Sequence, residues 1–201
     1  MKSLARVDHA FGEHVIFNGT SLELPDNGVV ALRGPNGSGK TTLLKLLGGV
    51  IATSCQEIQG WRKDYTAVYL DTDYLTLDYL TAGELLDMVR PLTGDAPGER
   101  GHQLLTEQML ATKVSDLSLG QRQRLALTVA LALRQVDVLL LDEPLNGLDH
   151  EASGTARTII REAGQSRLVI VATHEDEHWT DYDLLIRGDQ AVELNRTGAR
   201  Q

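Results

Sequence analysis

A chain of 201 residues with 42% hydrophobic residues is long enough to bury the core of one α/β domain, and a formal net charge of −9 argues against a surface devoted to nucleic acid, which needs a Lys/Arg excess. The single cysteine, Cys55, cannot close an intrachain disulfide and suits a reducing compartment. Residues Met1 to Asp8 lack the apolar run of a signal peptide, and no apolar run is long enough to span a bilayer, so a cytoplasmic location is expected and any membrane span must come from another chain.

From the N-terminus, the β-like runs Val15-Ile16-Phe17 and Ser21-Leu22-Glu23-Leu24 are interrupted by Gly12, Gly19 and the turn cluster Pro25-Asp26-Asn27-Gly28. They predict an antiparallel sheet ahead of the apolar strand Val29 to Leu32. Phe11, flanked by polar residues, is either a core or turn aromatic or a base-stacking one.

Next comes Gly34-Pro35-Asn36-Gly37-Ser38-Gly39-Lys40-Thr41-Thr42, followed by Leu43, Leu46, Leu47 and Val50 at helical spacing and a stop at Gly48-Gly49. Strand, glycine-rich loop and helix follow in that order. Every fixed position of G-x-x-x-x-G-K-[ST] is matched, which is the pattern of a phosphate-binding loop. Glycines let backbone N–H groups turn in toward phosphate oxygens, and the helix start adds its positive end. Lys40 is placed to reach the β- and γ-phosphates of a nucleoside triphosphate, with the Thr41 hydroxyl on Mg²⁺.

Further on, Glu57 to Trp61 and Tyr65 to Leu70 read as β-like runs. Thr81-Ala82-Gly83-Glu84 has the form of a capping box opening a helix that runs to Pro91, and Glu99 to Leu110 reads as another helix. Residues from roughly 72 to 117 are therefore expected to be a helical insertion in an α/β chain. The helix opened by Leu117-Ser118-Leu119-Gly120-Gln121, with Ser118 as N-cap, extends it to about residue 135.

The buried strand Val136 to Leu141 ends in Asp142-Glu143-Pro144, and the buried strand Leu168 to Ala172 ends in Thr173-His174. Such alternation points to a mainly parallel sheet with its ligand site beyond the strands' carboxyl ends. Acidic residues closing an apolar strand call for a cation. Strand alternation is expected to send Asp142 and Glu143 to opposite sides, one toward Mg²⁺ and one toward an attacking water. The tail, Leu184 to Ile186 and Ala191 to Leu194, reads as a hairpin.

In this order the motifs resemble the nucleotide-binding subunit of an ATP-binding cassette (ABC) transporter over nearly the whole chain. Gly34 to Thr42 matches the Walker A loop, Leu117 to Gln121 the LSGGQ signature, Val138 to Glu143 Walker B and Asn146-Gly147-Leu148-Asp149 the D-loop, with His174 as the switch histidine. The resemblance implies one P-loop NTPase domain over residues 1–201, with a mainly parallel core sheet, an N-terminal antiparallel β subdomain and a small helical subdomain at about 72–135. It also implies ATP and Mg²⁺ as ligands, Phe11 stacking on adenine, and a head-to-tail dimer in which Ser118, Gly120, Gln121 and Asp149 complete the partner's ATP site. Glu143 becomes the general base, Lys40 and His174 its catalytic companions, and Thr41 and Asp142 the metal ligands.

Two positions depart from the pattern. Leu119 stands where the signature has its first glycine, and Asp71-Thr72-Asp73-Tyr74 stands where the Q-loop glutamine is expected: Thr72 aligns by counting from the strand and Asp73 by counting back from Leu80-Thr81, so either an Asp such as Asp73 replaces the metal contact or hydrolysis and coupling are tuned differently. The implied partners are a second ABC subunit and integral membrane subunits, without nucleic acid, at the inner face of the cell membrane. Other readings of the same motifs are a soluble ABC ATPase driving an assembly process such as iron-sulfur-cluster formation, and a weakly active half of a heterodimer.

Overall fold

Three runs, Val29 to Leu32, Val138 to Leu141 and Leu168 to Ala172, are buried at every residue, as strands covered on both faces must be. The computed structural model describes residues 2–70, 77–93, 101–133, 135–174, 179–186 and 192–197. It places these runs in a six-stranded sheet. The strands are β3 (Gly28–Arg33), β4 (Ala67–Leu70), β5 (Val138–Asp142), β6 (Leu168–Ala172), β7 (Tyr182–Ile186) and β8 (Val192–Arg196), in the order β4-β5-β6-β3-β7-β8. All neighbours are parallel except β7 and β8, the expected hairpin. β1 (Lys2–Phe11) and β2 (His14–Leu24) form a separate antiparallel pair, so the P-loop NTPase α/β class with an N-terminal antiparallel sheet is observed.

Alternation along the strands makes two cores. Val30, Leu32, Leu140, Ile170 and Ala172 pack with Leu43, Leu44, Leu46 and Leu47 of helix α1 (Lys40–Leu47). Val29, Leu139, Leu141, Val169 and Val171 pack with Ala156, Ile159 and Ile160 of helix α6 (His150–Gly164). Because Leu32 and Asp142 both pair with Ala172, β3, β5 and β6 end at one edge, where the glycine-rich loop, Asp142 and Thr173-His174 all emerge.

Several expectations are corrected. Glu57 to Trp61 is not a strand but part of helix α2 (Gln56–Asp64): Ile58 and Trp61, three apart, are buried, while Glu57 in the first turn and Arg62 and Lys63 in the last suit the helix dipole. Helix α1 stops at Leu47 with Gly48 as C-cap, leaving Val50 outside it and exposed. Helix α3 (Ala82–Thr93) opens with the expected Thr81/Glu84 capping box but passes through Pro91, whose missing N–H falls in the last turn. The predicted helix over Glu99 to Leu110 is split into a 3-10 turn at Gly101–Leu104 and a short α4 (Glu107–Leu110), because the Thr106 hydroxyl caps Met109 N–H and starts a new helix there.

Helix α5 (Leu119–Ala132) completes the helical stretch between β4 and β5, which has a small core of Ala82, Leu85, Leu86, Met109, Val114, Leu117 and Leu125. At its other end the Arg167 guanidinium donates to the carbonyls of Leu131, at 2.7 Å, and Leu133. Both acceptors lie where a helix leaves carbonyls without partners. Arg167→Ala is expected to destabilise the fold by about 1–3 kcal/mol, a fall of several degrees in Tm by thermal denaturation. An unchanged Tm would show that water replaces the guanidinium at no cost.

Candidate functional site

The glycine-rich loop is shaped before any ligand arrives. Gly37 and Gly39 have φ of 78° and 97°, left-handed values that a side chain resists. A methyl on Gly39 would lie 2.8 Å from Ile16 Cγ2 and 3.0 Å from Phe17 Cζ, so β2 is seated against the loop. Lys40, the first residue of α1, is buried, and its Nζ donates to the carbonyls of Gly34 at 2.7 Å and Pro35 at 3.1 Å. Burial lowers the Lys40 pKa, and the charges of Glu143 and Asp142 partly restore it. The ammonium therefore lies in the field of the Asp142 and Glu143 carboxylates.

A phosphate chain fits this cradle. The Ser38 hydroxyl is buried without a hydrogen-bond partner inside the loop, and helix α1 has no side-chain cap, so donors there are left for an anion. Pro35, Asn36 and Gly37 form the exposed outer rim, and Thr41 and Thr42 follow Lys40 on α1. The Thr41 hydroxyl and the Asp142 carboxylate are hard oxygen donors, which suit Mg²⁺.

β5 ends at Asp142, which shares the α1 face with Leu140. Glu143 does not follow by strand alternation as expected: its φ is 46°, a strained value for a side-chain-bearing residue, so a left-handed turn sets its direction. There its carboxylate is held at both oxygens. Oε1 is 2.9 Å from His174 Nε2, and Oε2 accepts from the Asn146 amide. Both Glu143 and His174 remain partly open to solvent, with side-chain exposures of 37% and 48%.

The signature residues form a second cluster. Ser118 Oγ accepts from Gln121 N–H at 3.3 Å, and Gln121 Oε1 accepts from Ser118 N–H at 2.9 Å, a complete capping box at the start of α5. A methyl on Gly120 would sit 2.4 Å from the Gly147 carbonyl oxygen, so only glycine lets α5 approach the D-loop this closely. Gln123, buried, donates to the Pro144 carbonyl at 2.8 Å, and Arg124 pairs with Asp149. Asp149 in turn caps α6 through Ala152 N–H at 2.8 Å. That hydrogen bond, then the charge of Arg124, holds the Asp149 carboxyl below its usual range. The start of α5 and the loop from Asn146 to Asp149 are thus packed and hydrogen-bonded to each other, and Gln123 ties α5 to Pro144 beside Glu143.

Phe11 ends β1, half exposed, with its ring edge-on to His9 at 4.8 Å. Asp73, with the rest of the Asp71 to Tyr74 segment, lies outside the described residues. The cleft lined by Glu143, Pro144, Asn146, Thr173 and His174 has a volume of about 190 Å³, below the roughly 300–1,000 Å³ of ordinary ligand pockets. A larger cavity of about 630 Å³ lies at the opposite edge of the sheet, near Gly28, Arg161 and Tyr182, away from the phosphate loop.

Residues 17–146 match the family model described as ABC transporter. The chain belongs to the ABC transporter family. Among curated ABC relatives, the sulfate/thiosulfate import ATP-binding protein CysA of Salmonella typhi is 31% identical over 200 residues, covering 89% of this chain and 54% of that protein. The sulfoquinovosyl glycerol transport ATP-binding protein SmoE of Agrobacterium fabrum is 30% identical over 192 residues, covering 86% and 53%. The chain thus spans about half the length of the curated ABC relatives it matches. Its fold is that of the ATP-binding cassette MJ0796, solved as a dimer in a post-hydrolysis state bound to ADP and Pi, with a TM-score of 0.73 at 21% identity over 96% of this chain and 97% of that one.

Among the contacts of this ABC chain not anticipated from the sequence, three lie beside the Walker B end. They are the Asn146 amide on Glu143, the Gln123 bond to Pro144, and the Tyr69 hydroxyl, which donates to Asp142 Oδ2 at 3.0 Å. Asn146 lies inside a recognised motif and could have been suspected. Tyr69 sits in an ordinary β-like run, and only strand register brings it to Asp142.

Proposed function

We propose that this chain is an ATP-hydrolysing cassette that couples nucleotide turnover to separate membrane-spanning transport subunits, acting head to tail with a second cassette. The observation that carries this reading is the division of the site. Lys40, Asp142, Glu143 and His174 gather at one edge of the sheet, while Ser118, Gly120, Gln121 and Asp149 form a separate cluster in the same chain. The first cluster can hold phosphates, and the cleft beside Glu143 and His174, at about 190 Å³, is smaller than an ordinary ligand pocket; the second presents the start of a 14-residue helix, with Leu119 exposed there, and suits a γ-phosphate brought by a partner.

In this mechanism the loop from Gly34 to Gly39 and Lys40 bind the phosphates, and Phe11 stacks on the base. Thr41 and Asp142 would hold Mg²⁺, which when bound neutralises charge on the phosphate oxygens. Glu143 takes a proton from the attacking water, and His174 keeps the Glu143 carboxylate in place through Nε2. The Asp149 cap and the Gln123 to Pro144 bond carry closure of the dimer to the Glu143 turn. Asp73 is a candidate further metal contact. The helical region, about residues 72–135, is the part that would meet the membrane subunits at the inner face of the cell membrane. No helix among the described residues is itself long and apolar enough to cross a membrane. The relatives named for sulfate/thiosulfate import and sulfoquinovosyl glycerol transport support the transport reading.

Hydrolysis measured on the isolated chain across protein concentration tests the dimer. Specific activity is expected to rise with concentration, because two chains must meet to complete a site. Specific activity independent of concentration would refute the shared site, and activity appearing only with a different cassette would make this chain half of a heterodimer. Isolation with a soluble partner alone, and not with membranes, would favour the assembly-ATPase alternative.

A further inference from the structure

Asp142 closes β5 on the face turned to α1, and its nearest described partner comes from the neighbouring strand. Tyr69 stands opposite Leu140 in the parallel β4–β5 ladder, two residues before Asp142 on the same face. From there the phenol reaches along the sheet, and its hydroxyl donates to Asp142 Oδ2 at 3.0 Å. The base of the side chain is closely packed. Gly48 approaches so closely that a methyl there would be 2.6 Å from Tyr69 Cβ, and Lys45 Nζ lies 5.7 Å from the ring centroid. The end of α1, the helix that carries Lys40 and Thr41, therefore holds Tyr69, and Tyr69 holds one oxygen of Asp142.

A short carboxylate on a strand end can rotate about its Cβ–Cγ bond, and each freely rotating ligand must be ordered when a cation binds. A fixed donor on one oxygen removes that freedom and presents the other. Outer partners of this kind are typically worth about 10–100-fold in metal affinity. We propose that Tyr69 is a positioning residue for the divalent cation: by holding Asp142 Oδ2 it orients the carboxylate and strengthens Mg²⁺ binding with the nucleotide. This rests on the reading of Asp142 as a metal ligand.

The test uses Tyr69→Phe in the full chain, which removes the hydroxyl and keeps the Cβ packing against Gly48. Mn²⁺ binding is followed by electron paramagnetic resonance with a non-hydrolysable ATP analogue present, alongside analogue binding in EDTA and thermal denaturation. Mn²⁺ affinity is expected to fall about tenfold, with metal-free nucleotide binding and Tm unchanged. Unchanged or tighter Mn²⁺ binding would overturn the proposal, the tighter case meaning that the hydroxyl competes with the cation. Equal losses with and without metal would also overturn it, by showing a merely structural role. Asp142→Asn run in parallel separates the two levels: if it too leaves Mn²⁺ affinity unchanged, the reading of Asp142 falls, and Tyr69's role with it.

Discussion

Replacing Glu143 with glutamine is expected to slow ATP turnover by about 10²–10⁴-fold, the range for losing a general base, while ATP still binds. The substitution preserves shape. The amide oxygen of the introduced side chain can still accept from His174 Nε2, and the Asn146 amide can turn its oxygen to face the new NH₂, so the left-handed turn at φ 46° keeps its two anchors. What is lost is the capacity to take a proton. The variant also removes one of the two negative charges acting on Lys40, which leaves the phosphate cradle more positive. ATP should therefore be retained, and the closed dimer should persist because hydrolysis no longer opens it. Steady-state phosphate release gives the first quantity, and sedimentation with and without ATP gives the second. Near-normal turnover would remove Glu143 as the base and shift attention to His174.

The phosphate loop was legible because each of its fixed residues answers a local need, and local needs are written in order along the chain. The strands were legible because burial on both faces leaves continuous apolar runs such as Leu139 to Leu141. Where the sequence misled, tertiary packing made the choice. Glu57 to Trp61 contains enough apolar residues for either period, and packing against β1 and α1 goes with the helix. The direction of Glu143 could not be read from alternation, since a single positive φ ends the strand's rule one residue early.

The signature shows a subtler limit. Ser118 and Gln121 satisfy each other in a capping box, and Gly120 is required by the Gly147 carbonyl, so each has a reason within its own chain. Those reasons leave room for the proposed role toward a partner. The same packing that explains the residues also fastens the α5 start to the loop from Asn146 to Asp149, which is what the proposed relay between two ATP sites would require.

Lys40→Ala should produce the largest loss of ATP affinity. Lys40 is only 7% exposed and its ammonium is already bonded to the Gly34 and Pro35 carbonyls, so it is ordered before nucleotide arrives. Each charge-assisted hydrogen bond to phosphate contributes about 1.5–3 kcal/mol, or roughly 10–150-fold. Truncation adds a second effect: Asp142 and Glu143 lose the cation that balances them and then repel the incoming phosphates. Affinity for a fluorescent ATP analogue is accordingly expected to drop by at least about 100-fold, with circular dichroism unchanged. The two effects separate in a double variant. If unbalanced carboxylates contribute, adding Glu143→Gln to Lys40→Ala should recover part of the lost affinity, a non-additivity expected of groups in one electrostatic cluster. Strict additivity would mean that Lys40 acts on the phosphates alone. An affinity unchanged in the single variant would mean that the backbone of the loop binds nucleotide without its lysine.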